Sequence, residues 1–250
     1  MSDFDRTYTR TAPVGRADMA VDAGLRSFML GVYNKMALGL VVSGAIAWAF
    51  GNVPALQQLL FNVTPDGRLA GVTPLYFVVS FAPLVLLLGS GFVMKNPTAR
   101  GTGILYWTVT ALIGASLASI FLRYTNGSVA QTFFVTAASF GALSLFGYTT
   151  KKDLTGFGSF LIMGLFGLII ASLVSLFFQS PALIFAINAL GVLIFAGLTA
   201  YDTQRLKMTY YQLGGDRNMQ GVATNFGALS MYLNFVNLFQ FLLAFMGNRE

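Results

Sequence analysis

The stretch PALIFAINALGVLIFAGLTAYDTQRLKMTYYQLGG, residues 181–215, decides what kind of molecule this is. From Pro181 to Ala200 it is apolar apart from Asn188 and Thr199. That run is about the 20 residues a helix needs to cross a hydrocarbon core of about 30 Å. Asp202, Arg205 and Lys207 then follow with no helix breaker until Gly214-Gly215. The helix is therefore expected to continue past the membrane surface, with Asp202 about three turns before its end.

The rest of the chain repeats the pattern. It has 250 residues, 56% hydrophobic and only 10% charged, too few charges to cover a water-facing surface, so the protein belongs in a bilayer. Apolar windows at 27–50, 73–94, 103–122, 129–148, 157–178 and 222–246 join the one at 181–206. Between them lie turn residues such as Lys95-Asn96-Pro97, Thr125-Asn126-Gly127, Lys151-Lys152-Asp153 and Ser180-Pro181. The reading is an all-α membrane protein: a seven-transmembrane-helix bundle forming one unit over 25–248, preceded by a soluble, flexible tail over 1–24. That tail mixes Asp, Arg, Thr and Pro and lacks the apolar core of a cleaved leader. The loop 51–72 has room for a short interfacial helix. Lys35, the base well inside a span, is expected to snorkel toward the surface.

Orientation follows from the 15 Lys and Arg. With the N-terminus cytoplasmic, Arg68, Arg123 and Arg249 fall outside and every other base falls inside or in the first turns of span one. Short loops with that bias place the N-terminus in the cytoplasm and the C-terminus outside. The net charge of +6 is explained by topology and attraction to anionic lipid, and no basic helix or aromatic platform points to nucleic acid.

Absences narrow the chemistry. With no Cys and no His there is no disulfide, zinc site, axial haem ligand or His general base. Aspartyl proteolysis within the membrane needs two carboxylates, and the spans offer only Asp202, so the chain is not read as an enzyme. Nor is a resident cofactor expected. The other acids, Asp3, Asp5, Asp18, Asp22, Asp66, Asp153, Asp216 and Glu250, lie in tails or polar breaks.

A carboxylate near the membrane centre costs about 2.5–3.5 kcal/mol on insertion scales, so it faces the bundle interior or a water-filled cavity. Asn188, Thr199 and Asp202 share one helical face, and Ser230, Asn234 and Asn237 form a stripe at i, i+4, i+7 on the seventh span. Spans six and seven run antiparallel, which brings Asp202 and Asn234 to similar depth. In the third span Ala111, Gly114, Ala115, Ala118 and Ser119 make a small-residue face, read as helix packing, as are Gly164 and Gly167.

Three segments, GALSLFGYTTKKDL at 141–154, GLTAYDTQ at 197–204 and ALSMYLNFVNLF at 228–239, together resemble the Bax inhibitor (transmembrane Bax-inhibitor-motif) family in its bacterial branch, and the likeness covers 26–246. The resemblance implies a central seventh helix, a bacterial inner-membrane location and a leak for calcium or other cations. In members studied as leaks, an Asp in the YDTQ motif and an Asp on the seventh helix form a pore-closing pair that shares a proton. Asp202 matches the first position, but Asn234 stands at the second, and span two lacks the glutamate some relatives carry. The candidate ion pathway and latch comprises Asp202, Asn234, Asn237, Thr199 and Asn188.

The Asn234 side chain can donate to an ionised Asp202, as a second carboxylate could do only when protonated. A latch that resists mild acidification is therefore expected. Calcium is expected as a transient passenger at most, because one carboxylate plus amide oxygens is a sparse set for a hard cation. The alternative function is a non-conducting modulator of a membrane-bound quality-control protease, with tail 1–24 as the contact.

Overall fold

The structure, a computed structural model, describes residues 14–64 and 69–248. The first 13 residues of the expected tail, the loop tip with Pro65, Asp66, Gly67 and Arg68, and Arg249 lie outside the described residues. The elements run α1 (Val14–Asn52), α2 (Pro54–Leu60), β1 (Phe61–Val63), β2 (Leu69–Val72), α3 (Pro74–Val93), α4 (Ala99–Leu117), α5 (Asn126–Thr149), α6 (Thr155–Ser175), α7 (Pro181–Gln212) and α8 (Arg217–Met246), with a short 3-10 turn, Ala118–Leu122, after α4. Among the described residues, 7 helices are long and apolar enough to span a membrane: α1 and α3 to α8. The protein is an all-α membrane protein.

Helix ends follow local chemistry. Proline opens α2, α3 and α7, where a missing N–H costs nothing. Thr98 caps α4 by accepting from the Gly101 N–H at 3.1 Å, and Asp216 caps α8 by accepting from Asn218 and Met219. Gly214 and Gly215, at φ of 55° and 90°, make the left-handed stop after α7, so that helix does run on to Gln212. At the chain's start α1 is helical from Val14, inside the stretch read as a soluble tail.

The loop 51–72 holds the expected short helix, α2, and also a β-hairpin that sequence reading missed. Phe61 pairs with Val72 and Asn62 with Gly71, and the hairpin's Phe61 is buried against Ala115 and Ala118. Pairing satisfies the backbone of a non-helical segment at the edge of the bundle.

The helix order in space is set by α8. It packs against α1, α4, α5 and α7 at once, and half of its membrane-spanning window is buried. In α3, which packs on α4 and α2, the share is 6%. Met231, Tyr232 and Phe235 of α8 pack with Val32, Tyr106 and Phe140 of the helices around it, and a second cluster joins α6, α7 and Leu238. Close approach depends on small residues where spans cross. A Cβ on Gly147 would lie 2.1 Å from the Ala200 carbonyl oxygen, so α5 and α7 touch backbone to backbone there. Gly114 of the small-residue face likewise meets the Ser43 backbone, at 2.7 Å from an added Cβ. Gly164 packs against Ile194, but Gly167 faces open space and makes no such contact.

The two ends of the bundle are chemically distinct. At one, Gly24 meets Tyr210, Gly221 meets Ala99 and Gln204 binds the α5–α6 turn. This end carries Lys95, Lys151 and Lys152 and is called the basic end below. At the far end Gly51 meets Phe121 and Gly247 meets Tyr124.

Candidate functional site

Four consecutive residues of α7 point to four different parts of the molecule. Successive helical residues are rotated by about 100°, so a four-residue motif sweeps the full circumference. The Tyr201 ring lies over Gly158 of α6, where an added Cβ would come within 2.4 Å of it. Asp202 faces α8. The Thr203 hydroxyl shares a 3.2 Å hydrogen bond with Tyr33 of α1. Gln204 accepts from the Leu154 N–H and donates to the Lys152 carbonyl, both at 2.8 Å, which fixes the turn between α5 and α6. The motif is the junction of the bundle's basic half.

Asp202 is 6% exposed and its carboxylate has two partners on different helices. Asn234 Nδ2 of α8 donates to Oδ2 at 2.8 Å. Arg205, one turn along α7, pairs with Oδ1 at 3.0 Å. The same guanidinium donates to Ser230 of α8 at 3.2 Å and lies 5.7 Å from the centre of the Tyr201 ring. A buried carboxylate is costly unless paired and hydrogen-bonded, and this one is both. Asn234 and Arg205 thus close a small network across the α7–α8 seam, with Arg205 reaching in from a side chain that is 44% exposed.

The other expected site residues stand apart. The Thr199 hydroxyl is buried and donates to the Phe195 carbonyl of its own helix at 2.7 Å. Asn237 donates to the Leu233 carbonyl, again within its helix. Asn188, partly buried about four helical turns before Asp202 toward the start of α7, makes no side-chain hydrogen bond among the described residues. The structure therefore brings Asp202 and Asn234 together, and it adds Arg205 and Ser230 to them. Arg205 is absent from the sequence-based set because it counts there only among the cytoplasmic bases that set orientation, on the part of the helix expected beyond the membrane surface. Its position at i+3 from Asp202 was the available signal.

A second polar cluster sits on the opposite side of α8. Lys35 does not simply snorkel: its ammonium donates to Asn225 Oδ1 and lies 5.4 Å from the Tyr106 ring centre and 5.9 Å from that of Trp107. Asn225 Nδ2 donates to the Ala99 carbonyl at 2.7 Å and to the Thr102 hydroxyl at 2.8 Å. The Tyr106 hydroxyl donates to the Lys35 carbonyl at 2.7 Å. Together these tie α1, α4 and α8. Among the described residues no group of three or more acids could hold a metal ion.

Comparison with known proteins agrees with this architecture. Residues 25–250 match the family described as inhibitor of apoptosis-promoting Bax1. An uncharacterized protein of Caulobacter vibrioides is 71% identical over the whole of both chains. The inner membrane protein YbhL of Escherichia coli (strain K12) is 42% identical over 94% of this chain and 98% of its own. A protein of Rickettsia prowazekii is 41% identical over 97% of this chain and 98% of its own. With the match taking in all seven membrane-spanning helices, the chain belongs to the Bax inhibitor family of membrane proteins.

Proposed function

We propose that this protein is a cation leak, calcium being the expected cargo, of the bacterial inner membrane, closed by a latch between α7 and α8. The inner-membrane placement rests on the similarity to YbhL, with the N-terminus in the cytoplasm by the loop-charge bias. The observation that carries the reading is the buried Asp202 carboxylate, held by a side chain of the central helix and neutralised by Arg205.

In the closed latch Arg205 occupies the place a passing cation would take on the carboxylate. Ser230 holds the same guanidinium from the α8 side, so the arginine bridges the seam. Opening requires two events: loss of the single Asn234 hydrogen bond and withdrawal of Arg205 toward the surface, where its side chain already reaches. The freed carboxylate then offers negative charge along the α7–α8 seam. Because Asn234 donates an N–H that no pH change in the working range removes, closure does not depend on a shared proton. This supports a latch insensitive to mild acid.

The test is calcium flux into vesicles containing the purified protein, from pH 5 to 8. A slow leak with a flat pH profile is expected. Asn234→Asp should convert that profile to one that changes with acid, because two neighbouring carboxylates cannot both ionise cheaply. An acid response already present in the wild type and unchanged by Asn234→Asp would defeat the latch reading. No flux above protein-free vesicles in the wild type, Asp202→Asn and Arg205→Ala would remove the leak itself and favour a non-conducting modulator of a membrane protease.

A further inference from the structure

The far half of the bundle contains a cleft of about 430 Å³ between α1, the end of α4, α5 and α8. Its lining is almost wholly apolar, with Ser43 and Asn126 the polar exceptions. Along α1 it runs from Trp48 inward to Leu40, and along α5 from Asn126 inward to Phe134. Each run advances eight residues, about 12 Å at the helical rise, close to the depth of one leaflet of a core about 30 Å thick. Its back wall is the central helix, through Phe235, Val236 and Phe239, residues otherwise buried.

The mouth lies on the lipid-facing surface. Trp48 is 55% exposed and Phe134 is 71% exposed, and both sit in membrane-spanning helices. The cleft is therefore continuous with hydrocarbon. Of its two polar residues, the inner one, Ser43, donates its hydroxyl to the Leu40 carbonyl of its own helix at 3.2 Å, and the outer one, Asn126, is the first residue of α5, with the exposed Arg123 close by in sequence. An apolar channel one leaflet deep, opening sideways to lipid and polar at its rim, fits an amphiphile with a long tail.

We propose that this cleft binds one acyl chain of a phospholipid from the far-end leaflet, with the headgroup beside Asn126 and the tail against Phe235 of α8. The site is independent of the latch and of whether the protein conducts. Gly44 provides a way to close it. A Cβ there would meet nothing within 4 Å, and Gly44 lines the cleft, so a larger side chain at this position starts in open space and occupies cleft volume.

The experiment uses the full chain in vesicles containing a trace of phosphatidylglycerol with a photoactivatable diazirine on its acyl chain. After irradiation, adducts are mapped by mass spectrometry of peptides. Phe166 and Ile170, exposed on α6, report bulk lipid. Expected are adducts on 235–239 that saturate with probe and adducts on α6 that rise without saturating. Gly44→Leu, or Ala130→Phe at an exposed lining position, should abolish the α8 adducts and leave those on α6. Labelling of α6 with none on α8 in the wild type would overturn the proposal. So would α8 adducts that survive in both filled variants.

Discussion

Asn225 and Asn234 are both buried amides on α8, and they do opposite things. Nine residues separate them (234 − 225), a rotation of about 900° that leaves them on opposite sides of the helix. Asn225 uses its oxygen on Lys35 and its nitrogen on Ala99 and Thr102, joining three helices through three bonds. Asn234 makes one bond, to Asp202. The first is over-determined, and breaking any one contact leaves the others holding. The second has a single connection, beside a carboxylate that keeps its own counter-ion on its own helix. On the function proposed above, the α8 face toward α1 and α4 is the clamp and the Asp202–Asn234 bond, with the Arg205–Ser230 bond beside it, is the part of the α7–α8 seam that releases.

The largest expected effect on stability comes from the clamp. Asn225→Leu strips a partner from the Lys35 ammonium, the Ala99 carbonyl and the Thr102 hydroxyl, and should destabilise by about 2–4 kcal/mol, read as a lower unfolding temperature in detergent. A smaller loss than that caused by Asn234→Leu would reverse the assignment of clamp and latch.

Next is Arg205→Ala, which leaves the buried Asp202 with one partner. Because the arginine is partly exposed, about 1–3 kcal/mol is expected, below the cost of breaking a fully buried pair. Adding Asp202→Asn should recover most of it in a double-mutant cycle, since no charge then remains to be neutralised. Additive losses would show that Arg205 acts by packing on Tyr201 instead.

Asn234→Leu should cost only about 0.6–1.7 kcal/mol, the range measured for interhelical polar contacts in membranes. Its effect on flux should exceed that of Asn225→Leu measured at equal folded fraction. Equal flux in the two would erase the functional difference between the faces.

The smallest effect belongs to an exposed acid outside the spans, a useful contrast to Asp202. The Thr155 hydroxyl and N–H hold the Asp153 carboxyl below the usual carboxylate value of 3.8. A depressed folded value means the contribution is present above pH 3.8 and disappears as pH falls through the lower folded value. The unfolding temperatures of wild type and Asp153→Asn should therefore differ slightly at neutral pH and converge in strong acid. Divergence in acid would contradict the sign.

Much of this was legible in the chain. The spans could be read because a lipid-crossing helix needs length and apolarity whatever it packs against, and Pro181, Gly214 and Gly215 mark their own breaks. The encounter of Asp202 with Asn234 followed from antiparallel spans of known length. The hairpin at 61–72 was hidden because its two strands, of 3 and 4 residues, are too short to show a period. Asn225 escaped notice because it lies off the stripe that contains Asn234, and a stripe search follows one face only. Asn237 lies on that stripe, and Thr199 on the facing side of α7 with Asp202, yet both bond within their own helices, a choice made by side-chain rotamers that spacing does not encode.

Composition and pattern alone determined that this is a seven-helix membrane protein with one acid, Asp202, at the depth of its spans. Those properties depend on transfer from water to lipid, which each segment undergoes by itself. The tertiary structure decided what surrounds that acid: Arg205 turned back onto it, Ser230 holding the arginine, and Lys35 drawn to the far side of α8. These depend on which helix faces which, and with lipid as apolar as the side chains, that choice rests on close packing and on the few polar groups that must find one another.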